Sequence, residues 1–286
     1  MKIKNLTVAG SGVLGTQIAF QSAFHNINVV LYDVGNDILD NGKKKLIGLQ
    51  QTYMEEIAAS RDAVDLAFSR ISYSSDLSEA VRDADLIIEA IPENVEIKKG
   101  FYKQLSEVAP AKTIFAGNSS TMLPSTFAAF TGRPERFLNL HFSNEIWVRN
   151  SAELMGHPGT SHDALQAVAQ FAKDIGMVVV TLKKEQPGYI LNSLLIPLLL
   201  SALELLVNEV ASVEDIDAGW KIGTGSPLGP FQILDRIGAN TAHNIVTNIA
   251  DQTGDPHKRK IADYIKANFL DKGKMGRVSG EGFYKY

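Results

Sequence analysis

The sequence predicts an α/β protein with a doubly wound, mostly parallel sheet in its N-terminal part and an all-helical C-terminal part. Short apolar runs alternate with helical patterns as far as residue 182, which is typical of strands joined by crossover helices. Beyond Lys183–Gly188, helical patterns are separated only by Gly and Pro turns. A chain of 286 residues has room for two domains of moderate size. We therefore expect one domain at residues 1–185 and a second at residues 186–286.

Each predicted strand is a short run of apolar, mostly β-branched or aromatic residues that ends at a polar, Gly or Pro residue. The strands are predicted at Asn5–Ala9, Asn28–Tyr32, Ile71–Ser72, Leu86–Ala90, Thr113–Ala116, Phe137–His141 and Val178–Leu182. Helices with apolar residues at helical spacing are predicted at Asp37–Ala59, Glu96–Val108, Tyr189–Val210, Val213–Ile222, Asn240–Thr253 and Arg259–Asn268.

A glycine turn, Gly10–Gly15, directly follows the first predicted strand. Gly10 allows the tight turn, Gly12 lets the backbone approach a pyrophosphate, and Gly15 lets the next helix pack close to the strand. The N–H groups at the start of that helix, around Val13 and Leu14, would face the phosphates. The alternative is a glycine turn that binds no ligand.

An acidic residue, Asp33, directly follows the second predicted strand and lies eighteen residues after Gly15. Its carboxylate can accept hydrogen bonds from a ribose 2′-hydroxyl and would repel a 2′-phosphate, so NAD is favoured over NADP. Strand, glycine turn, helix and acid together predict a Rossmann domain.

Composition excludes several functional classes. A formal net charge of −4 provides no basic field for nucleic acid or anionic lipid. The absence of cysteine excludes disulfides and thiolate chemistry, is compatible with a reducing cytoplasm, and no metal site is expected. We expect no signal peptide, because the first apolar stretch is only a short strand. Polar residues, including Glu204, interrupt the apolar segment Tyr189–Val210, which therefore reads as a buried helix of a soluble protein.

His141 is the best candidate for an acid/base residue. It alone of the six histidines ends a predicted strand in the N-terminal half, and ligands of open α/β sheets bind outside the carboxyl ends of strands. An alcohol dehydrogenase needs such a base, with a carboxylate on its second ring nitrogen. Glu153 lies twelve residues later among apolar neighbours. The alternatives are a structural histidine and a surface glutamate on an edge strand.

Two further polar features could contribute to a site. Asn118–Thr121 follows a predicted strand and could contact nicotinamide or substrate, although one of these residues could simply cap a helix. Asn192 is an isolated polar residue in an apolar stretch, and its alternative role is a hydrogen bond between helices.

The chain resembles the 3-hydroxyacyl-CoA dehydrogenase family nearly from end to end. The matching stretches are Gly10–Gly15 with Asp33, Asp85–Glu93, Ala116–Ser120, Leu140–Phe142 with Glu153, Pro187–Tyr189 with Asn192, Pro227–Phe231 and Gly280–Tyr284. The resemblance implies that His141 is the general base and that Glu153 orients it. It also implies that Ser120 and Asn192 hold the substrate oxygen and the nicotinamide end, that Glu93 and Lys98 lie beside NAD, and that the chain forms a homodimer through its helical domain.

The departures from the family concern the substrate. The CoA-contacting serine and lysine of the family fall on Leu49 and Glu56, and a glutamate would repel CoA phosphates. Val278 stands where a lysine on the cofactor side is frequent, while Glu145 and Trp147, with Leu49, are similar to a bacterial diketoreductase branch. We expect an NAD(H)-dependent enzyme that interconverts 3-hydroxyacyl and 3-ketoacyl compounds. The alternatives are a diketoreductase that acts on free or esterified β-keto or diketo acids without CoA, and a non-catalytic NAD-binding structural protein.

Overall fold

A single mixed sheet organises the first part of the chain in the computed structural model, which describes residues 2–286. Its strands are β1 (Asn5–Ala9), β2 (Asn28–Tyr32), β3 (Ile71–Ser74), β4 (Leu86–Glu89), β5 (Ile114–Gly117), β6 (Phe137–Phe142), β7 (Ser151–Gly156) and β8 (Val178–Thr181). The spatial order is β3-β2-β1-β4-β5-β6-β7-β8, and neighbouring strands run parallel except for β6 and β7. The prediction of a doubly wound, mostly parallel sheet is confirmed.

Helices cover both faces of this sheet. They are α1 (Val13–Phe24), α2 (Asn36–Glu56), α3 (Arg61–Ser69), α4 (Leu77–Val81), α5 (Val95–Val108) and α6 (His162–Asp174). Consecutive residues of β1 point to opposite faces of the sheet and enter different cores. Val8 packs in the cluster that includes Ile18 and Leu46, whereas Ala9 packs in the cluster that includes Tyr102. Burial of both faces explains why the strands read as nearly continuous apolar runs.

The helices α3, α4 and α6 are not among those predicted from the sequence. His162 is the first residue of α6, and Ser161 before it accepts a hydrogen bond from the Ala164 N–H at 3.2 Å. A serine that satisfies an unpaired N–H in this way is a common helix start.

The second compact unit begins at Leu191, and the first ends at Ile190. It contains α7 (Leu191–Val207), α8 (Val213–Thr224), α9 (Pro230–Ile237), α10 (Ala239–Thr253) and α11 (Pro256–Asn268), as the all-helical prediction requires. Its core is built around buried side chains such as Leu203, Phe231 and Ile265. Within residues 2–286, no helix combines the length and apolar content that a membrane span needs.

Candidate active site

The glycine turn joins β1 to α1 in a shape that side chains would not permit. Gly10 has a φ of 112°, and a Cβ there would collide with the carbonyl oxygen of Ala90. A Cβ at Gly15 would collide with the carbonyl oxygen of Gly10. A Cβ at Gly12, in contrast, would have no heavy atom within 4 Å, so the backbone presents open space there. This arrangement fits the close approach of a pyrophosphate at a helix start.

Asp33 faces the glycine turn from the end of β2. Its Oδ2 accepts hydrogen bonds from the backbone N–H of Ser11 at 2.7 Å and from the Ser11 hydroxyl at 2.8 Å, while its Oδ1 accepts one from the Val34 N–H at 2.9 Å. The carboxylate is therefore held beside the turn. Ser11 was not singled out in the sequence, because a serine within a glycine turn is unremarkable without its partner.

A cavity of about 270 Å³ adjoins the turn. It is lined by Gly12, Val13, Leu14, Gly15, Ala90, Ile91, Glu93, Lys98, Asn118, Ser120 and Thr121. Seven of the residues predicted to bind the cofactor thus share one cavity, and the residues present fit a dinucleotide.

A buried ionic network supports one side of this cavity. The Lys98 ammonium contacts both carboxylate oxygens of Glu89, at 2.7 and 2.9 Å, and one oxygen of Glu93, at 3.1 Å. The second Glu93 oxygen accepts hydrogen bonds from the hydroxyls of Ser119 and Thr121. Burial by itself would raise the pKa of Glu93, but Lys98 and these hydroxyls outweigh it and hold that pKa below its usual value. Glu93 is therefore a fixed carboxylate at the cavity wall.

His141 and Glu153 lie directly opposite each other on β6 and β7. The His141 Nδ1 is 3.1 Å from the Glu153 Oε2, and the two residues are only 6% and 5% exposed. Glu153 is not a surface residue on an edge strand, since β8 pairs with the other side of β7. Because a carboxylate accepts hydrogen bonds, it favours the proton on Nδ1 and leaves a lone pair on Nε2.

Ser120 lies on the other side of the His141 ring. Its hydroxyl oxygen is 3.2 Å from the His141 Nε2, in the loop that follows β5. The neighbouring Ser119 accepts a hydrogen bond from the Met122 N–H at 2.8 Å. The local turn therefore uses Ser119, and Ser120 remains directed toward the histidine.

Tyr189 contacts the His141 side of the His141–Glu153 pair. In the sequence it stands out only as part of the family stretch Pro187–Tyr189, with no role of its own. Its ring stacks on the imidazole of His141 with 4.6 Å between centroids and 21° between planes. No sequence pattern could have predicted this contact, because the two residues are far apart in the chain. Asn192 lies in the first turn of α7, in the second unit, and its role stays a prediction.

The two positions that correspond to the family's CoA contacts, Leu49 and Glu56, differ from each other in their surroundings. Leu49 is buried in the main core, and Glu56 accepts a hydrogen bond from the indole Nε1–H of Trp147 at 2.7 Å. Trp147 also packs against the ring of the buried Tyr53 at 5.6 Å. Val278, in the second unit, is 88% exposed.

A dinucleotide-binding α/β fold whose strands also hold a buried histidine–carboxylate pair defines a class, the nicotinamide-dependent oxidoreductases. The family model for the 3-hydroxyacyl-CoA dehydrogenase NAD-binding domain matches residues 5–186, and the model for the C-terminal domain of that family matches residues 188–286. The chain belongs to the 3-hydroxyacyl-CoA dehydrogenase family, an oxidoreductase family, and its cofactor is NAD.

Individual relatives cover the chain almost completely. The mitochondrial hydroxyacyl-coenzyme A dehydrogenase of Homo sapiens is 35% identical over 292 residues, which cover 99% of this chain and 91% of the relative. A diketoreductase structure, described with substrate-directed dual catalysis of dicarbonyl compounds, is 52% identical with a TM-score of 0.96, and all of both chains is covered. The (S)-3-hydroxybutyryl-CoA dehydrogenase PaaH1 of Ralstonia eutropha is 29% identical with a TM-score of 0.86, covering 100% of this chain and 99% of that one.

Proposed function

We propose that this chain is an NAD(H)-dependent oxidoreductase that interconverts the hydroxyl and keto groups at the 3-position of an acyl compound, with His141 and Glu153 as its acid/base pair. The observation that carries the proposal is the placement of His141 between Glu153 at Nδ1 and Ser120 at Nε2, at 3.1 and 3.2 Å. Both partners lie at the end of the sheet where strands β1, β4 and β5 run into the cavity-lining loops.

In the oxidation direction, His141 accepts the substrate hydroxyl proton at Nε2 and becomes an imidazolium. Glu153 stabilises that cation through the Nδ1–H, and a buried carboxylate is effective because little solvent screens it. In reduction the same nitrogen returns the proton to the oxygen. Ser120, and Asn192 as the family implies, would donate hydrogen bonds to the substrate oxygen while charge develops on it.

Bound NAD would supply the hydride acceptor or donor. The chain's own residues would hold it: the backbone of Gly10, Gly12, Val13, Leu14 and Gly15 would face the phosphates. Asp33 would accept hydrogen bonds from the ribose hydroxyls, and its charge would disfavour a 2′-phosphate. Glu93, with Lys98 behind it, and Ser120 would line the nicotinamide side of the cavity.

Turnover of acetoacetyl-CoA with NADH, followed by the loss of nicotinamide absorbance, tests this function. His141→Ala should lower kcat by about 10²- to 10⁴-fold, the usual contribution of a positioned acid/base group. NADH binding, measured by fluorescence, should be unchanged. His162→Ala, an exposed histidine at the start of α6, is the matched control and should retain full activity. Retained turnover in His141→Ala would exclude the assignment.

A second candidate function is reduction of β-keto or diketo acids and esters that carry no CoA. Two observations favour it: the 52% identity to a diketoreductase, and the engagement of Glu56 with Trp147 where the family's lysine would meet CoA. A comparison of kcat/KM for acetoacetyl-CoA and a diketo ester separates the two functions. A large preference for the thioester would contradict the second.

We propose that residues 1–185 form the NAD domain and that residues 186–286 form a helical domain for substrate and for homodimer formation. The apolar helix α7 supports the dimer, since Leu194 on it is 70% exposed in the single chain. Light scattering after size exclusion should give twice the mass of 31.2 kDa, and Leu194→Glu should return the monomer mass.

A further inference from the structure

Tyr189 is completely buried, and its ring covers one face of the His141 imidazole. The centroid distance of 4.6 Å and the 21° angle between the planes describe a stacked pair. His141 is therefore held on three sides, by the Tyr189 ring, the Glu153 carboxylate and the Ser120 hydroxyl. We infer that Tyr189 is a positioning residue for the reaction, a role that rests on the proposed acid/base function of His141.

The Tyr189 hydroxyl ties together the two segments that carry His141 and Ser120. It donates a hydrogen bond to the Ser119 carbonyl oxygen at 2.8 Å and accepts one from the Asn139 side-chain amide at 3.0 Å. Ser119 precedes Ser120 in the loop after β5, and Asn139 lies two residues before His141 on β6. Burial raises the pKa of the Tyr189 hydroxyl, so it remains a donor through the neutral range.

The backbone around Tyr189 adds a contact to the other half of the pair. The Ile190 N–H donates to the second oxygen of Glu153, Oε1, at 2.9 Å. Gly188 and Tyr189 have φ values of 78° and 55°, and the left-handed region is sterically unfavourable for a tyrosine. A left-handed conformation at a residue other than glycine, as at Tyr189, persists where surrounding contacts over-determine it, and such residues cluster at functional sites. Here the turn directs the Tyr189 ring to His141 and the Ile190 N–H to Glu153.

The stacked ring has a chemical consequence as well as a geometric one. The face of an aromatic ring attracts a cation, so the Tyr189 ring stabilises His141 when it becomes an imidazolium. Other charged groups also act on this region: Glu153 on β7 contacts the imidazole, and Glu89, Glu93 and Lys98 lie on the cofactor side of Tyr189. None of these charges is altered by a neutral substitution at Tyr189.

Two substitutions separate the roles of the ring and the hydroxyl. Tyr189→Leu removes the ring, so the pH midpoint of the acidic limb of kcat/KM for hydroxy-substrate oxidation should move down by about 0.5 to 1 unit, the size expected for a cation–π contact. Tyr189→Phe keeps the ring, so the midpoint should stay while kcat falls by about three- to tenfold, because the Ser119 carbonyl loses its donor. The affinity for NADH should stay within about twofold in both variants.

A matched control removes a fully buried ring elsewhere. Phe231→Leu takes the same kind of ring from the core of the helical unit and should lower the melting temperature without moving the pH midpoint. If Phe231→Leu moved the midpoint equally, or if Tyr189→Leu left kcat and the midpoint unchanged, the inference would be overturned. If Tyr189→Leu failed to fold, an unchanged kcat in Tyr189→Phe would overturn it.

The outcome is separable from that of the proposed function. Loss of turnover in His141→Ala together with unaltered Tyr189 variants would remove only the positioning role. Retained turnover in His141→Ala would remove the proposed function itself, whatever the Tyr189 variants do.

Discussion

Two groups of residues in the first unit can be compared: the cofactor end, formed by the glycine turn, Asp33, Glu93 and Lys98, and the substrate end, formed by Leu49, Glu56 and Trp147. The cofactor end keeps the pattern of the family more closely than the substrate end does. At the cofactor end, the glycine turn, Asp33 and the cavity with Glu93 and Lys98 match what a dinucleotide requires. At the substrate end, Leu49 is buried in the core and Glu56 is bound to Trp147, where the family resemblance places CoA contacts.

Under the proposed function, the groups for the chemistry and the groups that would recognise a remote substrate handle are different sets of residues. The proposed acid/base groups are buried near strand ends, where a shift of one ångström would be costly. Exposed charges such as Glu56, in contrast, contribute little each. Substitutions at each end should therefore have effects of different size.

Among substitutions at these two ends, the largest effect is expected for Gly15→Ala at the cofactor end. The new Cβ would collide with the Gly10 carbonyl oxygen, and overpacking of about 1–3 kcal/mol corresponds to about five- to 150-fold weaker binding of NADH. Fluorescence titration measures it. Gly48→Ala, in α2 with open space around it, is the control and should bind NADH like the wild type. Unchanged NADH affinity in Gly15→Ala would contradict the tight packing of the turn.

Asp33→Asn should change the choice of cofactor by about tenfold. Removal of the negative charge lowers the repulsion of a 2′-phosphate, and the loss of a charged acceptor weakens the ribose contact. The ratio of the dissociation constants for NADPH and NADH should fall accordingly. Asp37→Asn, an exposed acid in the first turn of α2, should leave that ratio as it is. An unaltered ratio in Asp33→Asn would show that Asp33 does not determine the preference.

Glu56→Lys at the substrate end should lower KM for acetoacetyl-CoA by about two- to fivefold, the contribution of an exposed ion pair. The gain should disappear at high salt, because exposed charges are screened. The neighbouring exposed Glu55→Lys is the control and should give a smaller change. If Glu56→Lys left KM unaffected at low salt, the electrostatic account of the missing CoA contact would fail.

The smallest effect is expected for Asp85→Asn, which changes stability away from both ends. Asp85 accepts the N–H groups of Lys4 and Asn5, each at 3.0 Å, and contacts Lys112 at 2.6 Å. Burial works against these contacts, but they lower the pKa of Asp85 below 3.8. The stability that the ionised Asp85 carboxylate contributes is therefore fully present above pH 3.8, the ordinary pKa of the unfolded state. It is lost as the pH falls through the lower pKa of the folded state.

At pH 7, Asp85→Asn should lower the melting temperature by about 2–4 °C. This difference in melting temperature from the wild type should narrow as the pH falls through the pKa of the folded Asp85 carboxyl. Calorimetry across pH measures the difference. A difference that stayed constant with pH would contradict the role of the ionised form. NADH affinity should not change in this variant.

Much of the fold was predictable because local patterns carry it. Strands β1 and β2 were predicted at their observed bounds. The helical second unit was predictable because its helical patterns are separated only by Gly and Pro turns. The helices α3 and α4, of nine and five residues, were not predicted, because helices this short depend on tertiary packing more than on their own pattern. The 13-residue helix α6 was not predicted either, although Ser161 before it and its buried face of Ala164, Val168 and Phe171 are ordinary helix signals.

The local pattern was enough to predict the glycine turn with Asp33, and to select His141 and Ser120 near predicted strand ends and Glu153 among apolar neighbours as candidates. The antiparallel pairing of β6 and β7, in the register that sets His141 opposite Glu153, came from the three-dimensional structure alone. The same structure also shows that Tyr189 stacks on His141 and that Trp147 meets Glu56. The physical reason is that a residue's local pattern sets its element, whereas strand register and distant contacts depend on hydrogen bonds and packing between segments far apart in the chain.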